Sequence, residues 1–341
     1  MSVVTRRRLL LASTAAAVLP AFAQGTQGTQ GTQGTQGTQG TQGTYPARRL
    51  EIVVPFPPGG TADFLGRLLS QHLSQDWAQP VVVVNRPGAT GSLGADAVAR
   101  AAPDGYTLLL TSCPNRKVLF TPAPPVADPA HDLVPVALLA KPPLVLVAHP
   151  SLGVKSLPEL IALARQRKDL SYASIGPGTP SHLAMEMLKR SAGIPLLHVP
   201  YKGSGQALGD LVGGTVPLMF DSVVSSSGHV RSGRLVALGV STAERLPALP
   251  EVPTIAESGL AGFDVSTWAV LYLPAQTPQR IVTALNAAVI DVLRRKEVAD
   301  ALALQGCIVP PPLSPSQVAA FVRDDVAMWR KLVAEAGIQA E

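Results

Sequence analysis

Leu50-Glu51-Ile52-Val53-Val54-Pro55-Phe56-Pro57-Pro58-Gly59-Gly60-Thr61-Ala62-Asp63 decides the fold. A short apolar run stops at a proline, and a loop rich in proline and glycine follows. Beyond it, Phe64, Leu65, Leu68, Leu69 and Leu73 recur at helical spacing. The spacing predicts a strand over Leu50–Val54, a tight turn, and a helix over Thr61–Trp77. β-Branched or apolar runs at Pro80–Asn85 and Tyr106–Thr111, with a short helix over Ser92–Ala101 between them, complete a βαβαβ pattern. Such a pattern requires a parallel sheet covered by helices on both faces.

The alternation restarts at Leu144–Ala148, and Ser156-Leu157-Pro158-Glu159 has the spacing of a capping box with proline in the first turn. Further strands are expected at Leu170–Ser174, Leu196–Val199, Val216–Phe220 and Leu235–Val240. Helices are expected near Ser181–Ala192, Gln206–Val212 and Ser225–Arg231. From Pro278 onward the pattern is helical, over Ile281–Arg294, Glu297–Gln305 and Ser314–Ala336; with no sheet of its own, this stretch is expected to cover the first lobe. The reading is α/β, two doubly wound lobes joined by crossing segments near Val134–Leu139 and Phe263–Thr267. A ligand cleft is expected between them, where α/β switch points and lobe interfaces put sites.

Ahead of the first strand the chain has a different character. Met1–Ala23 has three arginines (Arg6, Arg7, Arg8), an apolar run from Leu9 to Leu19 and an Ala21-Phe22-Ala23 ending, the signature of a signal peptide. Thr5-Arg6-Arg7-Arg8-Leu9-Leu10 also resembles the twin-arginine export motif with Leu11 in place of the usual lysine, so both export routes stay open. Gln24–Thr44 is seven Gln-Gly-Thr triplets, with no apolar side chain to bury and glycine at every third position; it is expected to be disordered. The 28 basic residues of the 341-residue chain fall to 25 once the leader arginines are set aside, against 23 acidic ones. No basic run with interleaved aromatics remains, which argues against nucleic acid as a partner. The two cysteines, Cys113 and Cys307, cannot hold zinc alone; two small packing residues and one disulfide are both open readings.

Two loops carry the chemistry. In Pro55–Asp63 the glycines let the backbone turn so that the amides of the following helix start face outward, toward an anion. A plain strand-to-helix turn capped by Thr61 or Asp63 fits the same residues equally well. Ser174-Ile175-Gly176-Pro177-Gly178-Thr179-Pro180-Ser181-His182 repeats the device in the second lobe, with His182 either a ligand contact or a local hydrogen-bonding residue at the helix start. Lys202-Gly203-Ser204-Gly205 has the wrong order for a phosphate loop and reads as a turn. No nucleophile elbow, zinc-protease helix, Walker loop or dinucleotide fingerprint is present, and no catalytic residue, metal ligand or cofactor is expected.

Motifs spread over nearly the whole chain converge on one family. They are Val53-Val54-Pro55-Phe56-Pro57-Pro58-Gly59-Gly60, Asn85-Arg86-Pro87-Gly88-Ala89, Ala102-Pro103-Asp104-Gly105-Tyr106-Thr107, His198-Val199-Pro200-Tyr201-Lys202-Gly203, Met219-Phe220-Asp221 and Leu249-Pro250-Glu251-Val252-Pro253-Thr254. From Arg49 to Gly337 the chain resembles the Bug-type extracytoplasmic solute receptors of tripartite tricarboxylate transporters. The resemblance implies a fold like the type II periplasmic binding proteins, with residues 45–139 and 267–341 in lobe 1 and 140–266 in lobe 2. It implies a monomer in the periplasm that closes on a small carboxylate (a di- or tricarboxylate, an aromatic acid or an amino acid) and hands it to membrane subunits of the transporter; a ligand-sensing adaptor for a signalling receptor is the alternative. First-lobe contacts carried over are Phe56, Pro57, Gly59, Gly60, Thr61, Asp63 and Ser112; second-lobe contacts are Gly176, Gly178, Thr179, Ser181 and His182. Asp221 is carried over as a residue that orients the loop or meets an ammonium group. The chain departs from the family's pattern at Thr111–Arg116, where a basic side chain stands among small residues, and at Ala127-Asp128-Pro129, where a tyrosine commonly precedes the Asp-Pro pair.

The repeat has nothing to bury, so protein starting at Tyr45 is expected to melt at the same temperature as the longer form by differential scanning calorimetry. A loss of several degrees contradicts this reading of the repeat.

Overall fold

A computed structural model describes residues 45–111 and 132–336; the leader, the repeat, Ser112, Cys113, Arg116 and Ala127–Pro129 lie outside the described residues. The first sheet holds β1 (Leu50–Val54), β2 (Val81–Asn85), β3 (Thr107–Thr111), β4 (Leu133–Ala140) and β10 (Ala269–Pro274), in the order β2-β1-β3-β10-β4. The second holds β5 (Leu144–Ala148), β6 (Ser171–Ser174), β7 (Leu197–Pro200), β8 (Leu218–Ser222) and β9 (Val236–Val240), in the order β7-β6-β8-β5-β9. Each sheet begins with three parallel strands and has a reversed strand in fourth place, β10 in the first and β5 in the second.

That reversal corrects the expected crossing segments. Val134–Leu139 is not a linker but the body of β4, because its apolar residues are needed on both faces of the sheet: Val136 and Leu139 in one core, Leu138 in the other. The chain crosses instead at Lys141–Pro143 and again at Ser266–Thr267, where Thr267 donates both its N–H (3.1 Å) and its hydroxyl (2.8 Å) to the Pro142 carbonyl. β10, left unassigned by the sequence pattern, follows this second crossing directly.

Strand alternation sets the layers. Ile52, Val54, Leu108 and Leu110 face α1 (Thr61–Trp77), α7 (Gln279–Leu293) and α8 (Lys296–Leu304). Val53 and Leu109 face α2 (Ser92–Ala99) and the first half of α9 (Pro315–Ala336). In the second sheet Leu144 and Leu146 pack with α3 (Leu157–Gln166) and α4 (Pro180–Ala192), while Val145 and Val147 pack with α5 (Ser204–Val212) and α6 (Val223–Arg231). At α3 the capping spacing works: the Ser156 hydroxyl accepts from the Glu159 N–H (3.4 Å), and the Glu159 carboxylate accepts from the Lys155 N–H (2.8 Å). Cys307 is a buried free thiol, its pKa pushed up to about 12 by burial. Among the described residues, no helix is long and apolar enough to cross a membrane.

The C-terminal helix departs from the expectation that the last stretch covers the first lobe alone. Val318 and Val322 of α9 join the first sheet's core, but Trp329 and Val333, a turn or two later, are buried in the second's. Between them Asp325 accepts a hydrogen bond from the Trp268 indole (2.5 Å), just past the second crossing. Burial pushes the Asp325 carboxyl up to about 6, against the opposing pull of that hydrogen bond and of the Lys141 charge. A folded-state pKa above the unfolded value costs stability as pH rises from about 4 to about 6, because the folded protein then holds a proton that the unfolded chain releases. Asp325→Asn removes that penalty. Urea unfolding of wild type and variant at pH 4 and pH 7 is expected to favour the variant at the higher pH by about 2 kcal/mol relative to the lower one, and equal differences at both contradict it.

Candidate functional site

Strand direction decides where the site is. β1, β6, β7 and β8 all end, and β5 and β10 begin, along one shared crevice, the position at which α/β sheets place ligands. The crevice is lined from the first sheet's side by Phe56, Pro57, Gly60, Thr61, Ala62 and Asp63. From the second come Ile175, Pro180, Ser181, Gly203, Ser204, Asp221 and Ser222, with Leu144 and Thr267 from the crossings. It encloses about 570 Å³ including solvent at its mouth, within the range of small-molecule sites.

Three helices start inside it. α1 begins after Gly60, α4 after Thr179 and α5 after Gly203, and none has a side chain capping its first turn. The first N–H groups of a helix have no intrahelical acceptor; those of α1 and α4 lie on buried residues, and that of Ser204 at the start of α5 on a half-buried one, with Gly205 and Gln206 beyond it exposed. The partial positive charge of three helix ends therefore points into one cavity. Among the described residues no Lys or Arg lines it.

The expected first-loop contacts divide into two groups. Phe56, Pro57, Gly60 and Thr61 reach the cavity, whereas Gly59 stands behind it with φ +90°. Asp63 lies on the wall, but its carboxylate is engaged: one oxygen accepts from the Gly59 N–H (3.1 Å) and Arg67 Nε (3.0 Å), the other from Arg67 Nη2 (2.9 Å) and Asn85 Nδ2 (3.0 Å). Four donors fill a carboxylate's capacity, so Asp63 fixes the loop. Burial pushes its pKa up, but the bonds from Arg67, Gly59 and Asn85 outweigh it and hold the carboxyl below its ordinary value.

In the second loop only Ser181 of the expected residues lines the cavity, and its hydroxyl donates to the Phe220 carbonyl. The Thr179 hydroxyl donates to the Gly176 carbonyl (2.7 Å), and the Gly178 N–H donates to His182 Nδ1 (3.0 Å). The His182 ring lies behind the loop, stacked 4.1 Å from His198, which stacks in turn 5.0 Å from Tyr172; His182 Nε2 is 3.9 Å from Glu186. His182 makes the local hydrogen bond and is not among the residues lining the cavity. Ser112 lies outside the described residues.

Asp221 is buried on the cavity floor, where it accepts from Ser204 Oγ (3.0 Å), Ser225 Oγ (2.5 Å) and Ser226 Oγ (2.7 Å). Burial raises its pKa against the pull of those three bonds and of the Ser222 backbone. Ser204 and Gly203 belong to the segment read from sequence as a turn; strand, glycine, hydroxyl and helix recur there in the order of the other two loops, which is the signal that could have found them. The rims touch across the crevice. A Cβ on Gly203 would lie 2.9 Å from Pro57 Cδ, and one on Gly176 would lie 3.4 Å from the Thr90 side chain. Among the described residues no cluster of His, Cys, Asp or Glu could hold a metal.

Asp63→Asn is expected to destabilise the protein by roughly 1 to 3 kcal/mol at neutral pH, since donors ordered around an anion lose part of their acceptor. Because the folded-state pKa is depressed, the carboxylate's contribution is present above the unfolded value near 3.8 and fades as pH falls through the folded one. Melting curves of wild type and variant should thus converge in acid. A constant gap down to about pH 2 contradicts the clamp.

Residues 65–338 match the profile of the family described as "Tripartite tricarboxylate transporter family receptor". The chain is 39% identical over 297 residues to protein BugT of Bordetella pertussis, covering 86% of this chain and 90% of that one. It is 40% identical over 300 residues to a protein in the tcbD-tcbE intergenic region of Pseudomonas sp. strain P51, covering 87% and 88%. Among solved structures, R. palustris Rpa4515 with adipate superposes with TM-score 0.82 at 36% identity, covering 86% of this chain and 99% of that one. MatC from Rhodopseudomonas palustris with bound malate gives 0.79 at 35%, covering 85% and 100%, and the periplasmic binding protein BugD gives 0.82 at 32%, covering 87% and 100%.

Proposed function

Because the chain belongs to the family of tripartite tricarboxylate transporter receptors, a family of solute receptors and not of enzymes, we propose that it captures a small carboxylate in the periplasm for the membrane subunits of such a transporter. The single observation that carries this reading is the convergence of three uncapped helix starts on one cavity. Uncapped amide donors on the wall of one cavity call for an anion, and a carboxylate offers acceptor geometry for two or more at once. Phe56, Ala62, Leu144, Ile175 and Pro180 give the cavity an apolar middle, which suits a short aliphatic spacer between carboxyl groups. Two structural relatives hold such molecules, adipate and malate.

Residues 45–139 with 267–341 and residues 140–266 act in this reading as two lobes of an exported monomer, delivered by the Met1–Ala23 leader. They swing about the crossings at Lys141–Pro143 and Ser266–Thr267. Gly60 and Thr61 and the starts of α4 and α5 grip the ligand, while Gly59, Asp63, Gly176, Gly178, Thr179 and His182 hold the gripping loops in shape.

Calorimetric titration with adipate and malate, and with their methyl esters, tests the proposal. The acids bind and shrink the radius of gyration in small-angle scattering, and the esters do not bind, because an ester lacks the full charge that helix ends favour. Gly203→Ala, which adds no backbone strain because Gly203 is extended (φ 165°), weakens binding at least about tenfold by pressing its methyl into Pro57. Esters that bind as tightly as the acids contradict the anion grip.

A further inference from the structure

The cavity that is to receive a carboxylate already contains a carboxyl group of its own. Asp221 is buried to 2% exposure at its floor, and every hydrogen bond given to its carboxylate comes from a serine: Ser204 at the start of α5, Ser225 and Ser226 on α6. Among the described residues it forms no ion pair, and no Lys or Arg lines the cavity. The charged and titratable groups on the elements around it do not supply the missing cation. β5, which pairs with it through Val145, has none. On α5 the one such residue is Asp210, which accepts from the Tyr201 hydroxyl. α4 carries His182, Glu186, Lys189 and Arg190, of which the first three are tied to each other and to Tyr172. α6 carries Arg231 and His229; the charge of Asp221 is felt at His229, but burial and Arg234 hold that imidazole below its ordinary pKa. Across the cavity, Asp63 is neutralised by Arg67.

Resting on the carboxylate reading above, we propose that the receptor takes up one proton with its ligand, on the Asp221 carboxyl. A ligand carboxylate gripped at the start of α5 comes to the same helix end that Ser204 shares with Asp221. Two carboxylates in one buried site cannot both stay ionised without a cation, so the pair retains one proton. The proton comes from solvent: Asp221 COO⁻ and H⁺ give COOH as the dianion binds. The serine hydroxyls can reverse their roles, one of them accepting from the new acid proton, so the change needs no movement of the backbone. Capture is thereby coupled to pH, tightest on the acid side.

Titration of the full-length mature protein with adipate and with malate, above about pH 6.5 where both probe carboxyls are ionised, tests this. In two buffers of different ionisation enthalpy, wild type shows net proton uptake approaching one per ligand, and its affinity falls by about tenfold per pH unit over part of the range up to about pH 9. Asp221→Asn, which keeps the shape and an acceptor for the serines, shows no uptake and a flat profile, and binds the dianion more tightly than wild type at pH 8.5; a merely structural role for Asp221 would give weaker binding. Wild-type binding without proton exchange at any pH overturns the proposal, and this measurement suffices if the variant does not fold. So does a receptor that binds aspartate without uptake and loses it in Asp221→Asn, which would make the carboxylate an ammonium site. Failure of the carboxylate reading looks different, since no carboxylate then gives heat with wild type under any condition, and the proton proposal falls with it.

Discussion

Helix starts need partners for their first amides, and this fold gathers three of them at one crevice with no side chain capping any. α3 closes its own first turn with Ser156. α7 and α8 also start uncapped, but on exposed residues where water serves. α1 and α4 have neither remedy, because Gly60 and Pro180 put their buried first turns at the crevice, and α5 joins them there through Gly203 and Ser204 before its first turn runs out to solvent at Gly205. In the proposed function, recognition of an anion then follows from backbone geometry without a basic side chain. The arrangement depends on strand direction: with β1, β6 and β7 all ending at the same crevice, each following helix must begin there.

The polar side chains near the cavity mostly hold these backbones in place. Asp63 gathers Gly59, Arg67 and Asn85; Thr179 and His182 fix Gly176 and Gly178; Ser181 ties α4 to β8; Asp221 ties α5 to α6. A site whose donors are fixed before the ligand arrives loses little entropy on binding. It also makes side-chain chemistry a poor guide to ligand contact, since the residues with the most striking chemistry are the ones most fully engaged by the protein.

That division explains what could be read from sequence. Continuous apolar runs, helical spacing and glycine turns mark β1, α1, β5 and α4 within a residue or two, because burial on both sheet faces leaves a strong apolar signal. β4 and β10 escaped: Val134–Leu139 and Ala269–Pro274 are apolar enough, but the first was taken for a linker and the second interrupts an expected crossing-to-helix transition. The chain's return to the first sheet, antiparallel and after some 130 residues, is a long-range pairing that local pattern does not encode. At the site, Phe56 to Thr61 were legible as a glycine turn before a helix. His182 was legible only as a residue near the loop, because whether a ring faces a cavity or a stack depends on Tyr172 and His198, brought in by other strands. Gly203 and Ser204 were missed although their pattern was the same, since the neighbouring Lys202 drew the comparison to a phosphate loop.

The two ends of the crevice are built from opposite materials, and in the proposed function that difference gives closure its direction. At the back, the Thr267 bonds to Pro142 and the Trp268–Asp325 bond on α9 tie both sheets through side chains and buried apolar surface, including Trp329. At the mouth, contact is steric and thin: Pro57 against a bare Gly203, and Thr90 against Gly176. Ala89 and Thr90 both hold left-handed backbone (φ 46° and 52°), which costs a β-branched residue roughly 1 kcal/mol or more. Nothing at the mouth alone repays that strain. In the proposed function, an anion gripped simultaneously by α1 on one side and by α4 and α5 on the other adds an attraction that exists in the closed arrangement and vanishes in the open one. A ligand shifts such an equilibrium by its differential affinity for the two arrangements, so on the proposed reading weak rim contacts let occupancy control closure.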